Sequence, residues 1–134
     1  MLVDANIFID IFEKDPVWWE WSASQLKEQL LKRRLFINSI IYAEISNEFA
    51  AQEPLDAHLA NAGVMVLNIP KQAAFLAGKA FVQYRKNGGA KTNVLSDFFI
   101  GAHAQVMGEP ILTRDVRRYR TYFPDVPLVT PTVQ

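Results

Sequence analysis

A chain of 134 residues that is 50% hydrophobic and 21% charged has the size and composition of one globular domain with a single core. Its 14 basic and 14 acidic residues cancel to a formal net charge of zero, which excludes a globally basic nucleic-acid binder and leaves any attraction to phosphate to a local patch or a bound metal. The lack of cysteine excludes a disulfide framework and a thiolate zinc site, and suits a reducing cytoplasm.

The chain opens on the first strand-like run, Leu2-Val3, with no basic leader, and no apolar stretch reaches bilayer-spanning length, so a soluble cytoplasmic domain is expected. A first short helix closes at Asp15-Pro16. In segment 17–33, Trp19, Ala23, Leu26 and Leu30 form one stripe at helical spacing, which predicts the core face of a second helix. Trp18 and Trp21 fall off that stripe and need cover from another element or another chain. Leu35-Phe36-Ile37 is the second strand, followed by a helix over Ile40-Ile41-Tyr42-Ala43-Glu44-Ile45. Gly63 supplies a left-handed residue after a helical stretch, and Val64-Met65-Val66-Leu67 makes the third strand. Pro70 suits the first turn of a helix running to about Lys86, stopped by Asn87-Gly88-Gly89. Its core face is Ala73, Leu76, Ala77, Ala80 and Tyr84; Phe75 and Val82 lie opposite, a second apolar spot that favours a homodimer or a bound partner segment. Ser96 is placed to N-cap the helix carrying Asp97, and Gly108 ends that helix. Ile111-Leu112-Thr113 and Leu128-Val129 complete five strands. Continuous apolar runs alternating with helices predict the α/β class: one domain over 1–134, with a parallel sheet of about five short strands and helices on both faces.

Four acids stand out against this frame. Asp4 directly follows the first strand, Asp97 opens a helix and Asp115 comes two residues after the fourth strand. Singly, each is an ordinary cap or helix-dipole partner. In an open parallel sheet, however, the carboxyl ends of the strands form the ligand-binding edge, so Asp4 and Asp115 would open onto one crevice. Glu44 fits a bland explanation worst: its helical segment is nearly all apolar and offers no nearby Lys or Arg. Glu48, one turn later, is a weaker candidate for the same surface.

Clustered carboxylates repel, by about 4 kcal/mol for two unit charges at roughly 4 Å and an effective dielectric near 20, and a divalent cation resolves the conflict. Oxygen-only ligands select Mg²⁺ or Mn²⁺, while two histidines and no cysteine argue against zinc. His103 points away from the Asp97 face and reads as structural. A metal so held polarises a phosphoryl oxygen and readies water for in-line displacement, which makes phosphodiester hydrolysis the natural reaction. No P-loop, Ser-His-Asp order or dinucleotide fingerprint competes with it. Arg114, Arg117, Arg118 and Arg120 surround the last acid, either as a solvated helix face or as one or two contacts to a nucleic-acid backbone.

These motifs resemble those of the PIN-domain ribonucleases. Val3-Asp4-Ala5-Asn6 is similar to their opening motif, Asn38-Ser39-Ile40-Ile41-Tyr42-Ala43-Glu44 to their second, Ser96-Asp97-Phe98-Phe99-Ile100-Gly101-Ala102-His103-Ala104 to their third, and Leu112-Thr113-Arg114-Asp115 to their fourth. The subfamily suggested is the VapC-type toxin of type II toxin–antitoxin systems. The resemblance implies a Mg²⁺- or Mn²⁺-dependent endoribonuclease with Asp4, Glu44, Asp97 and Asp115 around the metal and Asn6, Ser39 and Thr113 orienting them. It also implies a cognate VapB-type antitoxin and usually a homodimer. Asp4 and Asp97 are expected as principal ligands, with Glu44 and Asp115 closing the pocket, and the RNA products as 5′-phosphate and 3′-hydroxyl ends. Two departures are that Ala5 stands where many relatives carry a hydroxyl, and that three residues before Asp4 leave a very short first strand. The rivals are a non-catalytic PIN-like scaffold, against which the presence of all four acids argues, and a receiver-type signalling domain, against which the third strand ends in Asn68 rather than a carboxylate.

Overall fold

A computed structural model describes residues 1–91 and 94–131. In chain order the elements are β1 (Leu2–Val3), α1 (Ala5–Phe12), α2 (Trp19–Lys32), β2 (Leu35–Asn38), α3 (Ser39–Ile45), a 3₁₀ turn (Ser46–Glu48), α4 (Gln52–Asn61), β3 (Val64–Leu67), α5 (Lys71–Lys86), α6 (Leu95–Met107), β4 (Ile111–Leu112), α7 (Arg117–Tyr122) and β5 (Leu128–Val129). The strands form one wholly parallel sheet in the order β3-β2-β1-β4-β5. The expected α/β class and the five strands are therefore what the chain adopts. Leu2, Val3, Leu35, Ile37, Ile111 and Leu112 are all buried, which is why these strands read as continuous apolar runs.

The topology decides where a site can form. From β1 the chain builds outward through β2 to β3, then returns to place β4 on the other flank of β1. The order thus reverses between β1 and β4, where Leu2 pairs with Ile111 and Val3 with Leu112. Connections leaving the two strands in opposite directions open a crevice at their carboxyl ends.

Local chemistry sets several boundaries. Asp4 caps α1, its Oδ1 accepting from the Ala5 N–H at 2.8 Å. Asn38 caps α3, its Oδ1 accepting from Ile40 N at 3.1 Å and Ile41 N at 3.0 Å. Gly63 and Gly108 adopt φ of 73° and 68°, the left-handed conformation expected of them at helix ends. At Gly101 the need for glycine is steric: a Cβ there would lie 2.3 Å from Phe123 Cδ2, so the bare backbone lets α6 lie against that ring.

Two expectations are corrected. The stripe assigned to the inner face of α2 turns inward only at its middle: Ala23 is half-buried and Leu26 packs on the core, but Trp19 is 41% and Leu30 40% exposed, while Ser22 and Gln29 are buried. The reason is polar, since the Ser22 hydroxyl donates to Asp10 Oδ2 on α1 at 2.9 Å, and this contact fixes how the hairpin closes. Trp18 and Trp21 are half-buried in an edge-to-face pair 6.3 Å apart, and Trp18 is covered from within the chain by the Arg114 guanidinium, 5.5 Å from its ring. Ser96, expected to cap α6, lies instead inside its first turn; Val94 holds the cap position without a side-chain bond. On α5 the expected faces hold: Ala73 and Ala77 are buried while Phe75 is 69% and Val82 50% exposed. Among the described residues no helix is long and apolar enough to cross a membrane.

Candidate metal centre

Four elements deliver the four acids to the crevice. Asp4 ends β1, Asp115 follows β4, Glu44 projects from α3 and Asp97 from the first turn of α6, which packs on α3. Their mutual influence gives their proximity. Asp97 is pushed up to about 7, first by burial and then by the charge of Asp4, with Arg118 pulling it down and Asp115 and Glu44 adding to the rise. Burial raises Asp4 against the hydrogen bonds that hold it down, and Asp115 adds to the rise. Glu44 is raised by burial and then by Asp4. Asp115 alone is held below the usual carboxylate range, because Arg117 bonds both its oxygens at 3.2 Å. Acids far apart in the sequence thus feel one another's charge.

Hydrogen bonds orient Asp4, Glu44 and Asp115. Asp4 Oδ2 accepts from Thr113 Oγ1 at 2.8 Å, Tyr119 OH at 2.9 Å and Asn6 Nδ2 at 3.4 Å. Asn6 and Thr113 therefore sit where orienting groups were expected. Ser39 does not: it is exposed at the start of α3 and, among the described residues, bonds none of the four acids. That place belongs to Ser96, whose hydroxyl donates to Glu44 Oε2 at 3.1 Å. Tyr119 went unanticipated, since an apolar-looking aromatic on a short helix carries no local sign that its hydroxyl reaches Asp4. Glu48 turns away to share a hydrogen bond with Glu13, which raises its pKa.

The arginines are engaged with carboxylates. Arg114 forms a two-pronged pair with buried Asp10, Nε to Oδ2 and NH2 to Oδ1, both at 2.7 Å. This ties down a side chain expected to reach RNA. Arg117 lies exposed at the rim on Asp115, and Arg118 leans over Asp97 with its Nε 3.6 Å from Oδ2, beyond hydrogen-bond reach. Arg120 is exposed. His103 is structural, as expected: buried, with its pKa lowered by burial, and 3.1 Å from Asn38 Nδ2 through its Nδ1. Because Asn38 Oδ1 is committed to the α3 cap, the amide donates and His103 Nδ1 accepts.

The donor set fits a hard divalent cation. Every candidate ligand atom is a carboxylate oxygen, and among the described residues buried Glu44 Oε1 has no hydrogen-bond partner, a costly state that a cation would relieve. Among the described residues no three His, Cys, Asp or Glu side chains are set to hold an ion as they stand. Small rotations of Glu44, Asp97 and Asp115 about Asp4 would have to complete the coordination.

The chain fits the family model for the PIN domain over residues 1–124. No curated protein matches it. Among solved structures it is similar to VapBC2 from Rickettsia felis bound to a promoter DNA fragment, at 18% identity and a TM-score of 0.73 over 97% of each chain. It is also similar to VapBC-1 from nontypeable Haemophilus influenzae, at 24% identity and 0.70 over 96% of each chain. DNA-bound VapBC from Salmonella typhimurium matches at 21% identity and 0.68, again over 96% of each chain. At such identities the likeness is one of fold.

Proposed function

The chain belongs to the PIN domain family, and from that premise we propose that it is a divalent-metal-dependent endoribonuclease, the toxin of a VapBC-type pair. The observation that carries the reading is the single coupled group of Asp4, Glu44, Asp97 and Asp115 at the sheet's switch point, with Glu44 Oε1 buried and partnerless. These four residues would hold Mg²⁺ or Mn²⁺. When bound, the ion supplies Lewis acidity toward a phosphoryl oxygen and eases ionisation of an attacking water.

The protein's own part is positioning and charge. Thr113, Tyr119 and Asn6 fix the rotamer of Asp4 through Oδ2. Ser96 holds Glu44 by Oε2 and so presents Oε1. Arg118 offsets part of the negative charge beside Asp97, and Arg117 at the rim offers a cation to a phosphate backbone arriving over Asp115. Water attacking in line at phosphorus with the 3′-oxygen as leaving group, so that the P–O3′ bond breaks and that oxygen takes up a proton, would give 5′-phosphate and 3′-hydroxyl ends. The VapBC complexes among the structural neighbours support a VapB-type antitoxin as partner, and the exposed Phe75 and Val82 on α5 support a homodimer.

Incubation of the purified protein with total RNA tests this. Discrete fragments with those ends are expected with Mg²⁺ or Mn²⁺ and none with chelator; fragments that persist in chelator would contradict the reading.

A further inference from the structure

A further acid, as buried as Asp4, takes no part in the scheme above. Asp10 is 1% exposed and lies six residues after Asp4 on α1. It receives both prongs of Arg114 at 2.7 Å and the hydroxyl of Ser22 on α2 at 2.9 Å. Arg114 is also the residue between Thr113 and Asp115. Its backbone N–H donates to Asn6 Oδ1 at 3.3 Å, and Asn6 Nδ2 in turn reaches Thr113 Oγ1 at 3.2 Å. The face of its guanidinium covers Trp18. A continuous polar chain thus runs from α2 through Asp10 and Arg114 to the loop carrying two of the site's side chains. That loop leaves a strand of two residues; Thr113 is held by Val129 O and Asp4, whereas Asp115 pairs with exposed Arg117 and the Arg114 side chain is anchored by Asp10.

We propose that Asp10 is a positioning residue for the metal centre: gripping Arg114, it holds the 113–115 loop against α1 so that Thr113 and Asp115 meet Asp4. The grip depends on the planar two-pronged fork, which lysine cannot supply although it keeps the charge. Its consequence for RNA cleavage rests on the nuclease reading, but its primary readout, metal affinity, does not.

The test is calorimetric titration of Mn²⁺ at pH 8 into wild type, Asp10→Asn, Arg114→Lys and a control at an exposed α2 position, Lys27→Ala, with circular dichroism to check folding. Loss of support behind a ligand weakens metal affinity by about 10- to 100-fold, so Asp10→Asn and Arg114→Lys should each raise the Mn²⁺ dissociation constant by about tenfold or more and the control by less than about twofold. In RNA cleavage kcat should fall while KM stays nearly constant. If Asp10→Asn does not fold, Arg114→Lys decides alone. Unchanged Mn²⁺ affinity in folded Arg114→Lys overturns the proposal. So does a rise in KM alone, which would make Arg114 a substrate contact, and so does loss of fold in both variants, which would make the pair a brace of the core. Wild type that binds Mn²⁺ but cleaves no RNA would sink the nuclease reading and leave the titrations to judge the clamp. Wild type that binds no Mn²⁺ overturns both.

Discussion

Asp4→Asn is expected to abolish metal-dependent RNA cleavage while leaving the fold at least as stable as wild type. Asp4 is the acid that two of the others feel: its charge raises both Asp97 and Glu44, and it sits at the end of the central strand. A metal's charge stabilisation of the transition state is worth several kcal/mol, and about 1.4 kcal/mol is a factor of ten, so losing this ligand should cost about a thousandfold or more in kcat. The fold should survive because an amide matches the carboxylate in shape. Its oxygen can accept from Ala5 N, and the Thr113 and Tyr119 hydroxyls can turn to accept from its nitrogen. Removing a buried charge next to Asp97 and Glu44 also relieves repulsion. Kinetics in Mn²⁺ and a thermal melt check both halves. Near-wild-type cleavage would remove Asp4 from the site; an unfolded variant would reduce it to the cap of α1.

Mn²⁺ affinity is expected to climb steeply as pH rises toward 7 and to level off above it. Asp97, raised to about 7, still holds its proton in mild acid, and the metal must displace that proton to bind. Below the apparent pKa each unit of acidification should cost about tenfold in affinity, or more where Asp4 and Glu44, also raised, exchange protons with it. The sign for the metal-free fold is opposite. Asp97 titrates at 3.8 when unperturbed and about 7 when folded, so between these values the folded state binds the extra proton. Stability of the apo protein therefore falls as pH rises through that window, and added metal restores it. The melting-temperature gain from Mn²⁺ should be larger at pH 8 than at pH 6. Affinity that is flat over this range, or that improves on acidification, would show that Asp97 carries no displaceable proton in the site.

How far the sequence could be read depended on whether an interaction is local. The strands were legible because burial on both faces leaves continuous apolar runs such as Leu35-Phe36-Ile37. Glu44 was legible because one acid among isoleucines has no cheap local explanation. Asp10 obeys the same logic, a lone acid in the apolar octet Ala5–Phe12, and its partner lies 104 residues away. The pull of Arg114 toward Asp115 in sequence hid that pairing. The facing of α2 escaped because a stripe counted from apolar residues cannot register a serine turned inward by a buried acid. Ser96 looked like a cap because Ser-Asp before an apolar run usually is one; the claim on its hydroxyl comes from Glu44, 52 residues away. Tyr119 reaches Asp4 across 115 residues, a contact that exists only once α7 has folded under the sheet's edge.

The most direct test of the central claim is a Mn²⁺ titration at pH 8 of wild type beside Glu44→Gln, followed by calorimetry. Among the described residues Glu44 Oε1 has no protein partner to lose and the amide oxygen can still accept from Ser96, so the substitution is expected to leave the apo fold intact and to strike what the cation would touch. The account predicts saturable binding to wild type and a loss of about tenfold or more in affinity for the variant. Equal affinity in the two proteins, or no binding to either, would contradict it.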